Sequence, residues 1–411
     1  MLKHKAFYIS NKENKKQLIS NITSGKWFKD LTLLKGAVFS EFTINAFIEE
    51  EIRHARFKVQ TVTKNSLKNS SEGERKRALL KHILKSNPEY IVLDNVFDCL
   101  DNEAQLKIKN TLTKLSNTVL IIQITTRKRD ILAFINNVFV VDNDKPKRFI
   151  DTKTKHKKEY FTQHLPKPYK ARKVSFNPLV QLKNVSVSYA NKCIVKNITW
   201  SIKPGEFWQL VGPNGSGKST ILSLISGDNP KGYLVDMTLF GIKKGSGETV
   251  WDIKKNIGFY TSELLQGFKR RDTIESMIIS GFEDSIGLYK YPTDMQITIA
   301  NQWLALLNML HIKDKSFQFL SDGHKRLVLI ARAMVKHPPL LILDEPTNGL
   351  DDADAKLFSA LVNKIAKESE TAIIYVSHRK EEFIKPDFVY MLVPNKNGST
   401  GKLIDNLVCY V

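Results

Sequence analysis

The chain of 411 residues contains no apolar run of about 18 residues, the length that a membrane-crossing helix needs. No segment of it reads as a membrane span. Met1 to Ser10 carries lysines and lacks the apolar core of a signal peptide, which predicts a cytoplasmic protein. Cysteine is scarce: Cys99, Cys193 and Cys409 are the 3 in the chain, and no metal-ligand spacing relates them. That argues against a disulfide framework or a cysteine zinc site and predicts free thiols in a reducing compartment. Acidic residues are also short, with 42 Asp and Glu against 63 Lys and Arg and a formal net charge of +21. Such a surplus suits a polyanion (nucleic acid, a ribosome or an anionic membrane surface) or simply a solvated, lysine-rich exterior. The remaining composition is that of a globular protein, 42% hydrophobic and 26% charged, in a chain long enough for two cores.

The composition shifts at NDKPKRFIDTKTKHKKEYFTQHLPKPYKARKVSFNP, which is basic, proline-containing and without sustained periodicity. It predicts a linker over residues 146–178, between a first domain at 1–145 and a second at 179–411. NNVFVVDN before it and LVQLKNVSVSYA after it read as strands. The two halves repeat one another. SSEGERKR and NPEYIVLDNVFDCLD in the first answer to LSDGHKR and HPPLLILDEPTNGLD in the second. Gly73 to Asp94 and Gly323 to Asp344 are both 21 positions; Asp94 to Asp101 and Asp344 to Asp351 are both 7. A constant offset of 250 marks an internal repeat.

Gly212-Pro213-Asn214-Gly215-Ser216-Gly217-Lys218-Ser219-Thr220 fits the phosphate-loop pattern, between the apolar strand EFWQLV and the helix start STILSLISG. Its glycines let backbone N–H groups turn inward on phosphate, and the helix N-terminus adds positive dipole. Lys218 is expected on the β- and γ-phosphates of ATP, and Ser219 on Mg²⁺. In LLILDE an apolar strand ends in two carboxylates. Asp344 is placed to hold Mg²⁺ and Glu345 to take a proton from the attacking water.

The order of phosphate loop, Leu320-Ser321-Asp322-Gly323-His324, LLILDEP, NGLD and YVSH resembles the nucleotide-binding domain of ABC (ATP-binding cassette) ATPases. The resemblance implies an α/β fold of two P-loop NTPase cassettes in tandem, the first truncated and degenerate. It implies ATP hydrolysis with Mg²⁺, His378 as the switch histidine on the γ-phosphate, Tyr189 stacked on adenine, and Asn348 to Asp351 as a contact between paired cassettes. FGIKKGSGETVWDIKK, SGFEDSIGLY and ANQWLALL further resemble tandem-cassette ATP-binding proteins of the ModF (PhrA) type. Two departures stand out. The family signature LSGGQ is here LSDGH, and the Q-loop glutamine is missing near Ser262.

In the first half Asn95 stands for Glu345 and Thr126 for His378, and no glycine-rich phosphate loop precedes them. An amide orients water but takes no proton from it. Ser71-Glu72-Gly73-Glu74 has two readings that are compatible: a helix-capping box, and, by family resemblance, a signature in which Ser71 and Gly73 meet an ATP held by a partner cassette. The second reading implies pairing of the two domains within the chain and one working site. The expected partners are ATP and a separate membrane or cytosolic subunit, the protein lying in the cytoplasm or against the inner face of the membrane. The alternative is a nucleic-acid- or ribosome-associated ABC protein.

Overall fold

The computed structural model describes residues 2–61, 66–150, 160–168, 176–190, 192–268, 271–378 and 381–404. Two compact units emerge: Met1–His156 with Gly349–Ala353, and Lys157–Asn348 with Asp354–Val411.

The first unit is built on strands β1 (Lys5–Tyr8), β2 (Gly36–Phe39), β3 (Tyr90–Asp94), β4 (Leu120–Thr125), β5 (Asn137–Asp142) and β6 (Lys145–Arg148), in the order β2-β3-β4-β1-β5-β6. The first five are parallel, and β6 closes the edge antiparallel to β5. Every residue of β3 and β4 is buried, as a parallel sheet covered on both faces demands. Successive residues serve opposite cores: Ile91, Leu93 and Ile121 pack in one, Tyr90, Val92 and Ile122 in the other. Helices α1 (Lys15–Thr23), α2 (Glu41–His54), α3 (Glu72–Lys85) and α4 (Asn102–Leu115) cover the sheet. Asn14, Ser40, Ser71 and Asp101 cap them, each through a side-chain oxygen that accepts an N–H of the first turn.

The second unit carries two sheets. Strands β7 (Val180–Tyr189), β8 (Lys192–Ile202), β10 (Met237–Leu239) and β11 (Ile242–Lys243) form an antiparallel sheet, β11-β10-β7-β8. Strands β9 (Phe207–Val211), β12 (Ile257–Thr261), β13 (Leu340–Asp344), β14 (Ala372–Ser377), β15 (Phe388–Val393) and β16 (Thr400–Ile404) form the second, in the order β12-β13-β14-β9-β15-β16. Its connections repeat those of the first unit strand for strand. One core joins the sheets, with Leu182 and Trp200 of the antiparallel sheet sharing it with Ile342 and Ile374 of the parallel one. The helices are α5 (Lys218–Ile225), α6 (Val250–Lys254), α7 (Leu264–Gly267), α8 (Ile274–Ile279), α9 (Asp294–Leu306), α10 (Asp322–Met334) and α11 (Asp352–Glu368).

Two differences from the sequence expectation bear on function. The first unit is shorter because, among the described residues, it has no antiparallel sheet. Its strand–loop–helix opening is nevertheless present as β1, residues 9–14 and α1, but the loop glycines are gone and Lys16 and Gln17 stand where the second unit has Ser219 and Thr220. The expected linker also overlaps the fold. Lys145–Arg148 is an edge strand in which Pro146 pairs with Val141, and an edge tolerates the missing N–H. Farther along, Phe161 is buried and the Leu165 N–H donates to Glu368 at 3.1 Å. Residues 151–159 and 169–175 of that stretch, and Cys409, lie outside the described residues.

Candidate active site

The loop between β9 and α5 has the backbone that its glycines foretell. Gly215 (φ +75°) and Gly217 (φ +94°) are both left-handed. A Cβ on Gly217 would also stand 2.5 Å from Val195 Cγ1 of β8. The N-terminus of α5 has no side-chain cap, and its first turn opens on the loop. Ser216 Oγ is buried without a hydrogen-bond partner. Lys218 Nζ donates to the carbonyls of Gly212 (2.8 Å) and Pro213 (3.0 Å). Asn214, Gly215 and Ser219 are exposed and Thr220 half-buried in the same turn. An uncapped helix end, left-handed glycines and an orphaned buried hydroxyl form a cradle suited to phosphate.

Three strands deliver the acids and the histidine. Asp344 ends β13, with Thr261 of β12 and Val376 of β14 as its register partners. Burial first, then the charge of Glu345, pushes the Asp344 carboxyl up to about 6, against the pull of Lys218 and His378. Glu345 takes a left-handed φ of +47°, and its N–H donates to Val376 O at 3.1 Å. That turn aims its carboxylate at His378 Nε2, with which it pairs, and at Asn348 Nδ2, which donates at 2.6 Å. Burial works against the Glu345 charge, but His378, Lys218 and Asn348 outweigh it and hold this carboxyl below its usual range. His378 Nδ1 lies 3.5 Å from Gly212 O, which returns the chain of contacts to the phosphate loop.

The family model described as ABC transporter matches residues 195–348, which run from β8 through the glycine loop to Asn348 and stop short of His378. The Escherichia coli (strain K12) protein named ABC transporter ATP-binding protein ModF is 35% identical over 89% of this chain and 80% of its own length. The chain belongs to the ABC ATP-binding proteins. It is an ABC ATPase, an enzyme class that binds and hydrolyses ATP. An uncharacterised ABC transporter ATP-binding protein of Schizosaccharomyces pombe (strain 972) is 30% identical over 77% of this chain and 66% of its own length. In fold, the chain resembles the crystal structure of the archaeal ribosome recycling factor aABCE1 with ribosomal stalk protein aP1. The TM-score is 0.64 over 98% of this chain and 86% of that one, at 14% identity. The two α/β units are thus tandem ABC-type P-loop domains.

The remaining ABC motifs fall at defined places. Tyr189 ends β7 with 43% of its surface exposed, and its hydroxyl accepts from Asn229 Nδ2 at 2.7 Å. Ser321 caps α10, with Oγ 2.7 Å from Nδ1 of His324, the residue that replaces the signature glutamine. Ser71 caps α3 in a full capping box: its N–H and Oγ both donate to Glu74 Oε2, at 3.0 and 2.9 Å. Those two hydrogen bonds lower the Glu74 carboxyl from its usual range. Gly73 lies in the first turn of α3, where an added Cβ would approach Leu100 Cδ2 at 3.3 Å.

Two residues were not singled out in the sequence. Arg326 of α10 donates to the carbonyls of Pro346 and Asn348, bracing the turn that aims Glu345. Glu263 stands two residues beyond Thr261, near where the glutamine is missing, and its charge adds to the rise at Asp344.

Proposed function

We propose that the second unit binds Mg²⁺-ATP and hydrolyses it with Glu345 as general base, driving a conformational change in a separate subunit of a transport system at the cytoplasmic face of a membrane. The observation that carries the reading is the convergence of Lys218, Asp344, Glu345 and His378 on one glycine loop. The loop N–H groups and Lys218 hold the β- and γ-phosphates, and Tyr189 stacks on adenine. Bound at Ser219 and Asp344, Mg²⁺ would offset phosphate charge. Glu345 is ionised at neutral pH, as a base must be, and His378 fixes its carboxylate and reaches the γ-phosphate. The ModF relative's name supports the transport reading. The net charge of +21 supports a second reading, association with nucleic acid or a ribosome.

Glu345→Gln tests both. The amide keeps the shape and loses the basicity, so ATP affinity should hold while turnover falls by about 100- to 10,000-fold. Phosphate release at the wild-type rate would overturn the role of Glu345. The ATP-trapped variant, captured with its partners under low salt, should retain membrane subunits. Ribosomes or nucleic acid in their place would establish the second reading.

A further inference from the structure

The two parallel sheets align residue for residue at the site. Tyr8 ends β1 opposite Thr125, and Val211 ends β9 opposite Ser377. Seven residues beyond each stands the first residue of the next helix, Lys15 of α1 and Lys218 of α5. Asp94 ends β3 opposite Ile124, as Asp344 ends β13 opposite Val376. Register therefore makes Lys15 and Asp94 the counterparts of Lys218 and Asp344. No motif search finds Lys15, because its loop has lost every glycine.

This site differs from that of the second unit in four ways. No residue of 9–14 has a left-handed φ, so the backbone does not form the nest that Gly215 and Gly217 make. The N-terminus of α1 is closed by Asn14, whose side chain accepts the Gln17 N–H at 3.1 Å. Lys15 Nζ lies 3.8 Å from Asp94 Oδ1, a carboxylate whose residue keeps only 7% of its surface. Beside them the side-chain oxygen of Asn95 accepts the Thr126 N–H at 3.2 Å, where the second unit pairs Glu345 with His378.

A phosphate site needs free donors at the helix end, inward backbone N–H groups and a cation at the strand-end acid. Here Asn14 takes a donor, the loop turns none inward, and an ammonium stands at the acid. We propose that the first unit is a nucleotide site closed by its own side chains, with Lys15 as the permanent counterion of Asp94 and no nucleotide bound. Asp94 is dominated by burial, which raises its carboxyl, and Lys15 is the charge that acts most strongly against that rise. The ion pair makes the first unit independent of Mg²⁺ and ATP for its own order.

The test uses the full chain in two arms. Hydrogen exchange follows peptides covering Lys15–Thr23 and Tyr90–Asp94. Lys15→Met strands a buried carboxylate, so exchange there should rise on the order of tenfold, and adding Asp94→Asn should restore protection. Unchanged exchange in Lys15→Met, or no recovery in the double variant, would overturn the counterion. Asp94→Asn alone removes the buried charge and should stay protected, which keeps the comparison available if Lys15→Met folds poorly. In the second arm the chain is photolabelled with Mg²⁺ and 8-azido-ATP and the peptides are mapped. Label should appear within 179–411 and be absent from the peptides of Lys5–Thr23 and Tyr90–Asp94, and label on either of those would overturn the proposal. A chain with no label anywhere counts against the second-unit reading, and the exchange arm then decides the first unit by itself.

Discussion

Asp344 and Glu345 sit side by side, yet burial and Glu345's charge carry the Asp344 carboxyl up to about 6 while His378, Lys218 and Asn348 hold Glu345 low. The strand ladder explains the split. Asp344 completes the pairing with Val376 inside the sheet, and the left-handed turn at Glu345 swings the next carboxylate out to its partners. A raised carboxyl has a definite sign in stability. Folded Asp344 takes up its proton near pH 6 and the unfolded one only near 4, so in that window the folded state binds more protons. Its contribution is fully present below the unfolded value and is lost as the pH rises through 6. His337, lowered to about 4 by burial, acts the opposite way over nearly the same range, so the whole chain conceals the effect. Asp344→Asn isolates it. The ligand-free variant should melt higher than wild type at pH 7, with the gap closing by pH 4.5. Thermal melts at both pH values check this, and an equal gap at both would show that Asp344 is not the titrating group.

At the level of elements, much was legible because strand and cap were written together. The 21- and 7-residue spacings locate α3, β3 and α4 in one unit and α10, β13 and α11 in the other, since a fixed spacing spans a fixed helix and strand. The second-unit loop was legible for another reason: its chemistry demands glycine. β1 and α1 escaped notice because a fold needs only the apolar residues of KAFY and a capped helix, and both survive without the phosphate-binding glycines. Edge strand β6 escaped because proline and lysine read as linker, although an edge accommodates both. Glycine's role at the loop is open to measurement. Gly217→Ala meets both a strained φ and Val195 Cγ1, so ATP affinity should fall by at least about tenfold. Gly205→Ala shares a left-handed φ of +75° but has no atom within 4 Å of its added Cβ, and should leave affinity alone. Nucleotide titration of the two variants compares them directly. Equal affinities would mean that the approach to Val195 does not shape the loop.

Across the whole molecule, the charge surplus and the candidate active site lie in different parts of the chain. Residues 1–178 hold 35 Lys and Arg against 18 Asp and Glu, whereas residues 179–411 hold 28 against 24. The surplus therefore belongs to the cassette without a glycine loop and to the stretch that follows it. Lys15 is neutralised by Asp94, so that site does not account for the excess. The lysines and arginines between Lys145 and Lys173 are the densest part of it, with 147, 148, 153, 155, 157, 158, 167, 170 and 172 falling between those ends. If they neutralise phosphates, affinity for a polyanion must follow counterion release. About six such contacts on a duplex give a slope near −5 in log affinity against log salt. The expected outcome is association with RNA or ribosomes at low salt that falls steeply as salt rises. Replacing six of these lysines with glutamine should flatten the slope and leave ATP hydrolysis unchanged, because the nearly balanced residues 179–411 carry the candidate active site. Sedimentation and gel shift across a salt series, with phosphate release measured on the same samples, separate the two properties. No association at low salt would remove the polyanion reading and assign the surplus to a solvated surface. A loss of hydrolysis alongside the loss of binding would show that the basic stretch serves the ATP cycle itself.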